Sequence, residues 1–224
     1  MTHNLVHRLT EIQQSIPPHV RLIAVSKKVS IEAMRVVYHE GLRDFAENKL
    51  QDAIVKQEKL RDLSDICWHF IGHLQTNKAK KAIECFPWIH SVDSLKLAQK
   101  LDFYAQQALE NSIIFQLPQV CLQVKVLPDE NKYGWSVEHL YQDLSSLKFL
   151  NNLNVRGLMT ILPLGLSSTQ ILSAFQTLRD LRDRLQNSFN SNFDQLSMGM
   201  SGDYLLAIEA GATMIRLGTK LFVP

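Results

Sequence analysis

Cysteine is scarce in this chain: three residues, Cys67, Cys85 and Cys121, are scattered through 224. An odd number without a CxxC pair argues against a disulfide framework or a closely spaced metal knuckle, and it fits a reducing compartment. Also missing is an apolar run long enough to span a bilayer; the best, residues 157–166, is short and broken by Pro163. The amino terminus, Met1-Thr2-His3-Asn4-Leu5, lacks the basic-then-apolar order of a secretory signal. Nor does one sign of charge dominate, with 24 Lys plus Arg against 22 Asp plus Glu. A nucleic-acid binder would gather its cations on one face, and the only dense cluster, Lys78, Lys80 and Lys81, reads as a solvated helix surface. No shift in composition marks a linker. These absences leave a soluble cytoplasmic protein of one domain, long enough to bury a full core.

What is present is a rhythm. Leu5, Leu9, Ile12 and Ile16 have helical spacing and predict a helix over 3–16, ended by Pro17-Pro18. Strands are expected over 22–25, 44–46, 67–71, 88–92, 119–126, 155–159, 195–198 and 214–217. Between them, helices are expected over 30–40, 47–60, 76–85, 94–109, 136–147, 168–185 and 203–210. Ser30 can cap its helix, Gly41 can end it, and Arg179, Arg182 and Arg184 suit the carboxyl end of the long one. Eight strands strictly alternating with helices argue for a parallel sheet, and in this length for a single (β/α)8 barrel over residues 1–224.

In such a barrel the carboxyl ends of all strands meet on one face, where α/β proteins keep their chemistry. That face collects Lys27, Glu47-Asn48, Gly72-His73, Asp93, Lys125, Thr160, residues 197–201 and Gly218-Thr219. Taken alone, Lys27 reads most plainly as a strand terminator whose amine snorkels to water. The run Ser197-Met198-Gly199-Met200-Ser201-Gly202 and the pair Gly218-Thr219 have the make-up of a phosphate cradle, although a tight turn needs the same glycines. Arg216 either pairs with an acidic side chain inside the barrel or reaches a ligand. His69 and His73 lie four apart, but Gly72 interrupts any helix there, so no metal pair is expected; Trp68 and Phe70 read as core.

A lysine and a phosphate cradle on one face have a chemical meaning together. A neutral lysine amine condenses with an aldehyde to form a Schiff base, and a neighbouring cation favours the neutral amine. Lys28 could supply that charge if its side chain turned back. Two ligand classes fit: sugar phosphates, as in Schiff-base aldolases, and pyridoxal 5′-phosphate (PLP), which carries aldehyde and phosphate both. Arg216 set against a pyridine nitrogen would keep it unprotonated and weaken the cofactor as an electron sink.

Several motifs recur in a fixed order: Leu22-Ile23-Ala24-Val25-Ser26-Lys27; Glu47-Asn48 with Gln51; Trp68-His69-Phe70-Ile71-Gly72-His73-Leu74-Gln75-Thr76-Asn77-Lys78; His90-Ser91-Val92-Asp93-Ser94; Arg156-Gly157-Leu158-Met159-Thr160; Leu196-Ser197-Met198-Gly199-Met200-Ser201 with Asp203; and Ile215-Arg216-Leu217-Gly218-Thr219. As an ordered set they resemble the YggS/PROSC family of PLP homeostasis (PLP-binding) proteins, whose fold is like the barrel domain of alanine racemases. The resemblance implies that Lys27 is the PLP-linked residue and Lys28 is free. It implies a phosphate site from Ser201, Gly218 and Thr219 with backbone help from Met200, Arg216 near the pyridine nitrogen, and Asn48 as the pocket asparagine. Ala46 and Lys49 stand where the family has a glycine and an aromatic residue, and of the 125–134 motif only Lys132 and Gly134 are kept.

The function so implied is intracellular vitamin B6 and amino- or keto-acid homeostasis by a PLP-binding protein with no catalytic residue. Racemases of this fold add a β-rich domain that supplies a second base, and this chain, ending after its eighth strand, is expected to lack it. Expected partners are PLP and, beyond it, PLP-dependent apo-enzymes or a regulatory protein; no metal, nucleic acid or membrane is expected, and the chain is expected to be monomeric. The alternative is a racemase-like PLP enzyme with Tyr133 or Tyr204 as acid; a cofactor-free aldolase is a third reading.

Overall fold

Residues 21–25 form a strand because four consecutive apolar side chains can be buried on both faces of a parallel sheet. Seven similar segments repeat this in the computed structural model, which describes residues 2–129, 131–189 and 192–223. The strands are β1 (Arg21–Val25), β2 (Asp44–Glu47), β3 (Cys67–Phe70), β4 (Trp88–Val92), β5 (Gln119–Gln123), β6 (Asn154–Met159), β7 (Gln195–Ser197) and β8 (Met214–Leu217). Each pairs in parallel with the next, and β8 returns to β1, with Ile23 opposite Arg216, closing an eight-stranded barrel.

The helices are α1 (Thr2–Ser15), α2 (Ile31–His39), α3 (Leu50–Lys59), α4 (Ala79–Cys85), α5 (Leu95–Glu110), α6 (Val137–Leu147), α7 (Ser168–Leu185), α8 (Tyr204–Glu209) and α9 (Thr219–Phe222). Ser30, Ser94, Ser136 and Ser167 cap α2, α5, α6 and α7, each hydroxyl accepting a backbone N–H three residues on. At Ser167 the cap is reciprocal, because the Gln170 side chain accepts the Ser167 N–H. No helix among the described residues is long and apolar enough to cross a membrane.

Most boundaries differ from the sequence expectation by a residue or so, and two larger differences shape the upper face. Residue 47 is the last of β2 rather than the first of a helix, because the Glu47 carboxylate points to the helix side of the barrel wall, where Ser26 and Lys56 hold it. β5 stops at Gln123 rather than 126, since the backbone beyond it pairs with its own loop: Lys125 N–H donates to Trp135 O and Trp135 N–H to Gln123 O.

Packing separates two apolar cores. The larger lies between strands and helices; the smaller fills the barrel, from Ile23, Val25, Ala46, Trp88, Cys121, Met159 and Met214. The alternation of strand side chains assigns residues to one or the other. It also turns His69, His90, Ser197 and Arg216 inward, so the barrel interior holds a polar column beside its apolar one.

Candidate functional site

Lys27 sits just past β1 at a sharp corner. Val29 N–H donates to Ser26 O (2.9 Å), so Ser26 to Val29 is a tight turn with Lys27 and Lys28 at its centre. Lys28 adopts φ 61°, a left-handed conformation that costs a non-glycine residue about 1 kcal/mol or more. Beneath the turn, Ser26 Oγ donates to Glu47 Oε1 (2.6 Å), while Lys56 Nζ donates to the same oxygen (2.7 Å) and to Ser26 O (2.5 Å). The Lys56–Glu47 pair therefore clamps the residue before Lys27 from below. Glu47 Oε2 is buried and has no hydrogen-bond partner among the described residues.

Lys27 lines a cavity of about 520 Å³ together with Lys28, Asn48, Gly218 and Thr219. That is ample for a small aromatic ring and its phosphate. Gly218 passes close to β1: a Cβ there would lie 3.4 Å from Val25 O. Thr219 also borders a second cavity that holds Ser201 and Tyr204. The structure thus gathers Lys27, Asn48, Gly218 and Thr219 around one space, with Ser201 next door. Ser201 Oγ accepts Lys220 N–H (3.1 Å), tying the two loops together. Met200 has its N–H engaged by Asp203 Oδ1 (2.5 Å), so its backbone help needs that contact to open. Of the two tyrosines considered as acids, Tyr204 is buried in α8, while Tyr133 is exposed and stacked 3.5 Å from His73.

Arg216 resolves differently from the common fate of a strand arginine. Its guanidinium is buried, donates to Ser197 Oγ (2.6 Å) and Thr160 O (2.8 Å), and among the described residues has no carboxylate in ion-pair range. Burial pulls its pKa down to about 10, with Asp203 opposing, so it stays cationic at neutral pH. Arg216 lies two residues before Gly218 but inside the barrel, and it does not line the cavity that Lys27 lines.

Sequence reasoning missed what holds Arg216. Ser197 Oγ meets His90 Nδ1 (2.7 Å), His90 Nε2 meets His69 Nδ1 (2.9 Å), and His69 Nε2 meets Asp44 Oδ1 (2.8 Å). Both imidazoles are buried, and burial lowers their pKa values, that of His90 further through His69 and Arg216. With both rings neutral, the proton order follows from one end. The Asp44 carboxylate only accepts, so His69 Nε2 carries its proton and Nδ1 accepts from His90 Nε2; His90 Nδ1 then accepts from Ser197. Every bond points from the Arg216 cation toward the Asp44 anion. The only hint in the sequence was polar residues in alternate positions of otherwise apolar strands. The free thiols offer no nucleophile, since burial pushes Cys67 and Cys121 up to about 12.

The chain matches the family "Alanine racemase, N-terminal domain" over residues 2–224. A "Pyridoxal phosphate homeostasis protein" of Synechocystis sp. is 50% identical over 213 residues, covering 95% of each chain. One of the same name from Aquifex aeolicus is 41% identical over 202 residues, covering 90% of this chain and 86% of the other. Among solved structures, PipY of Synechococcus elongatus with PLP bound superposes with a TM-score of 0.90 at 45% identity, covering 97% of this chain and 99% of that one. An alanine racemase of Clostridium difficile shares the fold (TM-score 0.72, 14% identity), with 98% of this chain matching 56% of the racemase.

Proposed function

The chain belongs to the pyridoxal phosphate homeostasis protein family, and we propose that it holds PLP as a Schiff base on Lys27 and serves intracellular PLP and amino- or keto-acid homeostasis without turning over a substrate. The observation that carries this reading is the single cavity that Lys27, Asn48, Gly218 and Thr219 wall together, at the end of the strand that closes with Arg216 and Leu217. When bound, PLP supplies an electrophilic aldehyde and an electron-withdrawing ring. This chain's residues divide the work of holding it. Lys27 offers the amine at a turn clamped by Glu47 and Lys56. Ser201, Gly218 and Thr219 would receive the phosphate, and Asn48 would border the ring. Arg216 gives up no proton near neutral pH, so set against the ring nitrogen it would disfavour protonation there and would favour retention over carbanion chemistry.

Absorbance tests the assignment. The purified protein should be yellow and lose its visible band on borohydride reduction, with the label retained on the chain. Lys27→Ala should abolish that reducible band and Lys28→Ala should keep it; a band that persists unchanged in Lys27→Ala overturns the role of Lys27. Turnover of any amino acid in a racemisation panel would overturn the non-catalytic part. Delivery to apo-enzymes predicts that the loaded protein activates a PLP-dependent apo-enzyme faster than free PLP at equal concentration.

A further inference from the structure

Opposite the cofactor face, where the strands begin, Asp44, Cys67 and His69 bring a carboxylate oxygen, a thiol sulfur and an imidazole nitrogen within 4.8 Å of one another. Asp44 and Cys67 are register partners on β2 and β3, and His69 follows Cys67 by two residues, so all three side chains project inside the barrel. We propose that this triad is a binding site for a thiophilic divalent cation, zinc above all, with a fourth position open to solvent.

The ligand chemistry fits zinc, which takes sulfur at about 2.3 Å and nitrogen or oxygen at about 2.0–2.2 Å in tetrahedral sites of three protein ligands plus water. Thiolate and carboxylate together neutralise the dication. Cys67 borders a cavity of about 700 Å³ at this mouth, giving water and metal a way in. His69 already has the outer support that zinc-binding histidines use: its second nitrogen faces His90 Nε2 at 2.9 Å, and its ring stacks on Trp88. Binding moves protons in a balanced way. The Cys67 thiol proton leaves to solvent, and each imidazole keeps one proton, relocated from Nε2 to Nδ1, which frees His69 Nε2 for the metal. Arg21, 3.7 Å from Asp44 and nearly half exposed, swings outward as the cation arrives.

Co2+ and Zn2+ are the probes, added to the full-length, PLP-loaded protein after chelator treatment. One Zn2+ per chain is expected by mass spectrometric metal analysis after dialysis, and Co2+ should give a near-ultraviolet sulfur-to-metal band. Cys67→Ser should abolish that band, and Cys67→Ser or Asp44→Asn should weaken Zn2+ at least about tenfold; both remove partly exposed groups, and circular dichroism checks that the fold is kept. Cys85→Ser, at another free thiol, should change neither readout. No stoichiometric Zn2+, or a band that survives Cys67→Ser, overturns the proposal. The Lys27 chromophore reports separately on the opposite face, so either assignment can fail alone.

Discussion

Removing the Ser197 hydroxyl would strip a partner from two buried groups at once, Arg216 Nη1 and His90 Nδ1. An unsatisfied buried polar group costs about 1–3 kcal/mol, and more when charged. Ser197→Ala should therefore destabilise the protein by at least about 2 kcal/mol in urea unfolding. Thr177→Ala, which deletes an exposed hydroxyl bonded to Ser173 O, should stay within about 0.5 kcal/mol. Equal small losses in both would mean that the interior chain of hydrogen bonds is already hydrated. The sequence sets Ser197 on a strand and Thr177 on a helix, but not the two buried partners that only Ser197 serves.

Among elements, β6 depends on one residue. Gly157 has φ +155°, and a Cβ there would meet Gln195 O on β7 at 1.9 Å. The register of β5 and β6 also shifts here, with Val120 opposite Val155 but Cys121 opposite Gly157, so Arg156 is the extra residue of a bulge. Gly157→Ala should cost more than about 2 kcal/mol, because backbone rather than a movable side chain must yield. Gly41→Ala is the control: its φ is +94° with nothing within 4 Å, so only conformational strain of about 1 kcal/mol is expected. Thermal or urea unfolding of the pair separates crowding from strain.

For the molecule as a whole, the neutral histidines set a pH dependence. Above about pH 6.5 folded and unfolded chains alike hold His69 and His90 neutral. Below it the unfolded chain takes up protons that burial keeps off the folded one, so stability falls as pH falls. The slope is at most about 1.4 kcal/mol per histidine per pH unit, and it ends at the lowered folded values. Urea midpoints at pH 7.5 and 5.5, with chelator present, should differ accordingly. A flat profile would mean that the imidazoles accept protons in place.

The sequence by itself determined the order of elements, their alternation, the closed barrel it implies, and the face to which Lys27, Asn48, Ser201 and Gly218-Thr219 belong. These are local properties: strand and helix periodicity is written in neighbouring residues, and strand ends inherit their face from topology. It also carried the family motifs. It did not reveal that Glu47 and Lys56 clamp the lysine turn, that no carboxylate among the described residues pairs with Arg216, or that Asp44, His69, His90 and Ser197 form one chain through the barrel. The clamp depends on how α3 packs on the outside of the sheet, and the interior chain on which inward side chains from five different strands meet at hydrogen-bond distance. Strand stagger and barrel closure decide that, and no single segment encodes them.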